Sequence, residues 1–245
     1  KGNTFEFFPI LIKFIDAKQS LSVQVHPDDK YALLHEGESG KTEMWYVMDA
    51  TPDATLIYGF THEISHQEFE HRIKDNTLLE VCNQVPIKKG DVFFIEAGTL
   101  HAIGAGALIA EIQQSSNSTY RVYDYGRVGK DGKLRELHIE KALAVTKLEP
   151  PTRKPEPIAK LTAFADYDLT ILAQCELFNV SHFDLHGNCS LNAKKDSFHS
   201  ILVLDGQIAL TYGNDSFTIT KGESVFIPAD MGEYILNGTG EFILT

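Results

Sequence analysis

Gly90-Asp-Val-Phe-Phe-Ile-Glu-Ala-Gly98 and Gly222-Glu-Ser-Val-Phe-Ile-Pro-Ala-Asp230 are two versions of one pattern: a glycine turn, an acidic residue, an apolar strand and a tight corner. A pattern used once in each half of the chain implies one β-rich unit used twice. The surroundings agree. In the first half, Ile10–Ile15, Leu21–Val25, Glu43–Met48, Thr55–Tyr58, Asp91–Ile95 and Leu108–Gln113 read as short strands. In the second, Asp168–Ala173, Phe178–Phe183, Ser200–Leu204, Gln207–Tyr212, Ser216–Thr220, Ser224–Ile227 and Glu241–Leu244 do the same. Most are bounded by Gly, Asp or Pro, the punctuation of a barrel or sandwich.

Helical signals are few. Ser65 and Glu68 form a capping box that opens a helix through about Lys74. Thr77–Cys82 adds a short helix and Ile139–Val145 another. Glu149-Pro-Pro-Thr-Arg-Lys-Pro-Glu-Pro157 then places four prolines in nine residues, which disfavours helix and sheet alike. The expected organisation is a first domain over residues 1–148, a proline-rich linker over 149–160 and a second barrel over 161–245.

Within the first domain, Ser22, Gln24 and His26 alternate with Leu21, Val23 and Val25, so on a strand the three polar side chains share one face. Lys41 and Glu43 are also two apart at the start of a strand. His101 follows the small-residue corner Ala97-Gly98-Thr99, which aims it back into the barrel mouth. Two imidazoles, one carboxylate and one amide oxygen suit zinc or another first-row divalent ion, with a position left for water or substrate. With one carboxylate the site keeps a local charge of about +1, which favours polarising a sugar oxygen. A lone histidine such as His35, His62 or His199 is ordinarily a surface or satisfied polar residue, and such positions are read that way. The repeat sets His101 opposite Glu233, and nothing in the second half resembles the Gln24/His26 pair, so the second barrel is expected to carry no metal.

Asp16-Ala-Lys-Gln-Ser20 reads as a hairpin turn that brings Lys13 opposite Ser22 and Gln24. Lys13, Lys41 and Ser22 together then suit a phosphate dianion. The segment Glu111–Arg127 is dense in polar and aromatic groups and carries two arginines. Arg127, beside the turn at residues 129–132, is expected to anchor the chain by pairing with an acid or capping carbonyls.

With 34 acidic against 22 basic residues, a net charge of −12 repels phosphate backbones and anionic lipid, so neither nucleic acid nor membrane is an expected partner. A small anionic substrate remains compatible, because a few lysines focused in one pocket outweigh a diffuse surface charge. Cys82, Cys175 and Cys189 are odd in number, far apart and outside any CxxC spacing, which argues against disulfides and thiolate metal sites. No run approaches the about 18 unbroken apolar residues of a membrane helix, and residues 1–9 lack a secretory signal. A cytoplasmic monomer or weak homodimer is expected.

Leu21-Ser-Val-Gln-Val-His-Pro-Asp-Asp29, Lys41-Thr-Glu-Met-Trp45, the segment from Val85 to Gly104 and that from Glu111 to Arg127 together resemble type I mannose-6-phosphate isomerases in their short bacterial form. Gln-x-His-Pro followed by Gly-Thr-x-His-Ala-Ile-Gly carries most of the specificity. The resemblance implies a mainly β double cupin, two jelly-roll barrels with a few short helices, of which the first is catalytic. It implies Gln24, His26, Glu43 and His101 as ligands of one zinc ion, Arg121 as the catalytic arginine, Glu111 as a further active-site acid, and Ser22, Lys13 and Lys41 as phosphate binders. The implied reaction interconverts mannose 6-phosphate and fructose 6-phosphate through a cis-enediol. Glu111, Lys41 and a metal-bound water all remain open as the base. A sugar-binding cupin without turnover and a different metal-dependent cupin enzyme are the alternatives. Glu96 stands where the family pattern has proline. That pattern also carries a longer N-terminal segment with a Trp-Gly-Gly element, whose loss is compatible with a retained metal and weak or absent turnover.

Overall fold

The structure, a computed structural model, describes residues 7–245. Phe8–Glu156 form one compact unit and Pro157–Thr245 another, each considered by itself below. The boundary falls inside the proline-rich stretch. Residues ahead of it dock on the first unit: Pro151 lies 2.5 Å from where a Cβ on Gly59 would stand, and the Arg153 guanidinium lies 4.0 Å over the Phe94 ring.

The first unit has nine strands, β1 (Ile10–Asp16), β2 (Val23–Val25), β3 (Glu43–Ala50), β4 (Thr55–Phe60), β5 (Cys82–Pro86), β6 (Val92–Ile95), β7 (His101–Ile103), β8 (Ala107–Gln114) and β9 (Tyr120–Tyr123). They form a four-stranded sheet, β1-β8-β3-β6, and a five-stranded sheet, β5-β4-β7-β2-β9, with every pairing antiparallel. The expected β1–β2 hairpin does not form. β1 pairs with β8, placing Lys13 opposite Glu111, while β2 pairs with β7 and β9 in the other sheet. Residues 16–20 are therefore a crossover between sheets: Ala17 donates to the Ala107 carbonyl and Leu21 to that of Ile103.

Strand alternation sorts the side chains. Val47, Trp45, Phe93, Ile95, Ile103, Ile109, Leu56 and Tyr58 pack into one apolar cluster from strands of both sheets, which is the barrel interior. Val23, Val25, Ile57, Ala102, Tyr120 and Val122 share the cluster on the five-stranded sheet's other face. Helices α2 (His66–Lys74) and α3 (Ile139–Val145) cover that face through Phe69, Ile73 and Ala142. α2 starts where its capping box places it, Ser65 accepting from the Glu68 N–H at 3.1 Å, whereas Leu78–Glu80 is only a 3-10 turn. One helix is not legible as an amphipathic pattern: α1 (Asp29–His35) is capped by Asp28, buries only Ala32 and leaves Leu33 and Leu34 exposed.

The second unit has eight strands, β10 (Thr162–Ala163), β11 (Tyr167–Gln174), β12 (Asn179–Leu185), β13 (Asn188–Ala193), β14 (His199–Tyr212), β15 (Asp215–Thr220), β16 (Ser224–Ile227) and β17 (Gly232–Leu244). Ser200–Leu204 and Gln207–Tyr212 are halves of one strand, β14, which pairs with β17 along most of its length. The ribbon bends where Gly206 faces Gly240. A Cβ on Gly206 would meet the Thr239 oxygen at 2.3 Å, and its φ of +78° also demands glycine. Beyond the bend each strand changes its outer partner, β16 to β15 for β14 and β12 to β13 for β17, so one ribbon serves both faces of the barrel. Phe183, Val203, Leu210, Tyr234 and Phe242 fill the core between them.

Candidate metal centre

β2 and β7 set Gln24 opposite His101, and β9 sets Arg121 on the other side of Gln24. β3 brings Glu43 in from the facing sheet. Nε2 of His26 lies 2.6 Å from Glu43 Oε1 and 3.1 Å from His101 Nε2, while Glu43 Oε1 lies 3.8 Å from His101 Nε2. All three residues are buried and offer ligand atoms within 4.8 Å of one another. The Gln24 amide reaches His101 Nε2 at 3.4 Å, and turning the amide over presents its oxygen instead.

The protons decide what this cluster can hold. Nδ1 of His26 faces the Ser118 carbonyl and Nδ1 of His101 faces the Thr99 carbonyl, both at 2.8 Å. A carbonyl only accepts, so each Nδ1 carries the hydrogen and each Nε2 in the neutral ring presents a lone pair. Burial lowers both imidazole pKa values, that of His101 to about 3, keeping both rings neutral. Burial opposes the charge on Glu43, yet its surroundings, the Lys41 ammonium among them, hold the carboxyl well below its usual range. Two lone pairs and a carboxylate oxygen thus converge with no proton among them, an arrangement that repels itself unless a cation takes all three. The Lys41 ammonium, buried at 3.1 Å from His26 Nε2 and 3.3 Å from Glu43 Oε1, brings a positive charge to two of the three. The donor set fits a divalent metal ion.

Other residues singled out in the sequence gather nearby. Lys13 Nζ donates to Glu111 Oε1 at 2.8 Å and to Gln113 Oε1. Burial, then the Glu43 charge, push the Glu111 carboxyl up to about 7. Ser22 is buried two residues before Gln24. In the second unit the corner holds one residue more. Tyr234 therefore faces the core and Glu233 faces out, which corrects the expected pairing of Glu233 with His101.

Known proteins resemble this chain. A family model described as "Mannose-6-phosphate isomerase, cupin domain" matches residues 168–245. The mannose-6-phosphate isomerase ManA of Bacillus subtilis is 40% identical over 239 residues, covering 97% of this chain and 75% of that protein. The mannose-6-phosphate isomerase of Streptococcus mutans is 38% identical over 237 residues, covering 96% and 73%. The crystal structure of the Bacillus subtilis mannose 6-phosphate isomerase superposes with a TM-score of 0.91 at 35% identity, covering 99% of this chain and 76% of that one. The chain belongs to the mannose-6-phosphate isomerase family. Its fold is the mainly β cupin architecture that the resemblance implied.

In this family member the two arginines of the polar segment part company. Arg121 donates to the Glu136 carbonyl at 2.9 Å, and its Nε is buried without a hydrogen-bond partner. Burial and the nearby Arg135 lower its pKa. Arg127 instead pairs with Asp124 at 2.5 Å, caps the Ser20 carbonyl at 2.9 Å and lies 5.3 Å over the Tyr125 ring. One participant has no signal in the sequence beyond its alternation with Glu43. Trp45 donates its indole N–H to Glu43 Oε2 at 2.8 Å and to Glu111 Oε2 at 2.9 Å. Among the described residues, no helix is long and apolar enough to cross a membrane.

Proposed function

We propose that this chain interconverts mannose 6-phosphate and fructose 6-phosphate, with one zinc ion held by His26, Glu43, His101 and the oxygen of Gln24. The observation that carries the reading is the convergence of two imidazole lone pairs and one carboxylate oxygen in a chain 40% identical to a mannose-6-phosphate isomerase. Zinc bound there supplies Lewis acidity to the sugar oxygens as charge develops on them. Glu111, buried beside that group with a carboxyl near neutrality, takes the proton from one of C1 and C2 and returns it to the other, passing through a cis-enediol. Arg121, set beside Gln24 by the β2–β9 register, offers its guanidinium to the enediolate oxygens.

Ser22, Lys13 and Lys41 recognise the phosphate. Lys13, its side chain 38% exposed, exchanges Glu111 for the incoming dianion. The Lys41 ammonium and a divalent ion compete for the same two donor atoms, so Lys41 gives them up on loading and becomes available to an anion. Turnover of mannose 6-phosphate in a coupled assay, abolished by a chelator and restored by zinc, is the expected result. Binding of mannose 6-phosphate without turnover in the zinc-loaded chain would instead identify a sugar-binding protein.

A further inference from the structure

We propose that Trp45 is a positioning residue for the metal centre, one indole N–H fixing the carboxylates of both Glu43 and Glu111. The inference rests on reading His26, Glu43 and His101 as metal ligands, and adds a residue outside that set. Four observations meet at this side chain. Trp45 is 1% exposed and packed into the barrel's apolar cluster, so its ring has a single place to lie. Its N–H stands 2.8 Å from Glu43 Oε2 and 2.9 Å from Glu111 Oε2, which makes one donor shared by two acids. Its ring meets that of His101 edge-on, with centroids 5.3 Å apart. Finally, β3 lies between β6 and β8, with Trp45 opposite Phe93 on one side and Glu111 on the other.

The consequence is geometric. A carboxylate turns freely about its last bond unless its oxygens are held. With Oε2 of Glu43 tied to the indole, Oε1 is the oxygen left to face His26 and His101. The same hydrogen holds Glu111 Oε2, leaving its Oε1 to Lys13. Trp45 thus orients a ligand and the neighbouring acid together, and its ring backs a second ligand. Outer partners of this kind tune metal affinity by about 10- to 100-fold.

The test measures zinc affinity of the chelator-stripped chain by competition with a chromophoric chelator. Trp45→Phe keeps an aromatic ring and loses the N–H. It is expected to bind zinc about 10- to 100-fold more weakly than the parent. A tryptophan that only packs would lower the melting temperature of the metal-free chain and leave zinc affinity unchanged, an outcome that overturns the proposal. The parent chain supplies a second readout that does not depend on the variant folding. Trp45 is the single tryptophan, so its indole gives one proton–nitrogen NMR signal. That signal is expected to shift in step with one equivalent of zinc, and a signal that stays in place at saturation also overturns the positioning role. A parent that takes up no zinc removes the metal site and Trp45's role together, whereas a parent that binds zinc beside an equally tight Trp45→Phe removes the role alone.

Discussion

The two barrels place different chemistry at equivalent positions. In the first, Glu43 pairs in register with Ile95; in the second, His199 pairs with Ile227, and Ile95 and Ile227 hold the same place in the repeated pattern. His199 therefore stands where Glu43 stands, and the inward Tyr234 follows the same corner as His101. The second pair is complete in itself: the Tyr234 hydroxyl and His199 Nδ1 meet at 2.7 Å, a donor matched to an acceptor. The first set is incomplete, since Nε2 of His26, Nε2 of His101 and Oε1 of Glu43 are all acceptors. The barrel's apolar interior tolerates both arrangements. What fits one of them to hold a metal ion is the placement of protons, fixed by the Ser118 and Thr99 carbonyls behind the two imidazoles.

The strongest way to break this comparison is to remove the carboxylate. Glu43→Ala leaves three neutral ligands beside the Lys41 cation, so elemental analysis is expected to fall from about one zinc per chain to almost none, with turnover lower by at least about a hundredfold. His199→Ala in the second barrel is expected to leave metal content unchanged. Zinc retained in Glu43→Ala, or lost in His199→Ala, would reverse the assignment.

A next contrast lies inside the first barrel. Arg121→Ala is expected to lower kcat by about 100- to 1,000-fold with a nearly unchanged melting temperature, because in the proposed mechanism its charge matters only as the enediolate forms. Arg127→Ala is expected to lower the melting temperature, because it unpairs Asp124 and uncaps Ser20. Near-normal turnover in Arg121→Ala takes that residue out of the mechanism.

Acid sharpens the comparison further. Burial lowers the pKa of His101 from 6.5 to about 3 and also lowers that of His199. Below pH 6.5 the unfolded chain binds protons that the folded chain refuses, so stability present above that pH is lost as pH falls toward the folded values. A fully depressed histidine contributes about 1.36 kcal/mol per pH unit within that window. In metal-free protein, His101→Gln is expected to flatten the dependence of the urea midpoint on pH between about pH 6 and 4. His199→Gln is expected to flatten it less, and equal slopes in parent and His101→Gln would count against a neutral His101. The smallest expected effect is that of Tyr234→Phe. It removes the hydroxyl paired with His199 at a cost of about 0.5–1.5 kcal/mol, read by urea unfolding, with zinc content unaltered.

Much of this was present in the chain before folding. The Gly90 and Gly222 repeat announces two β units, because a strand between a glycine turn and a tight corner is a local property of a few residues. The two-residue spacing of Ser22, Gln24 and His26 likewise commits them to one face wherever the strand goes. The Ser65 cap starts α2 for an equally local reason. Tertiary structure decided which strands meet. It paired β1 with β8 instead of β2, placing Lys13 on Glu111, and one extra corner residue turned Tyr234 inward in place of Glu233. It also decided the protons, since no spacing reveals that Ser118 and Thr99 would stand behind the two imidazoles or that one indole hydrogen would join Glu43 to Glu111. The contacts of His26 with Ser118 and of Trp45 with Glu111 join residues far apart along the chain, and only the closing of the barrel brings them within hydrogen-bonding distance.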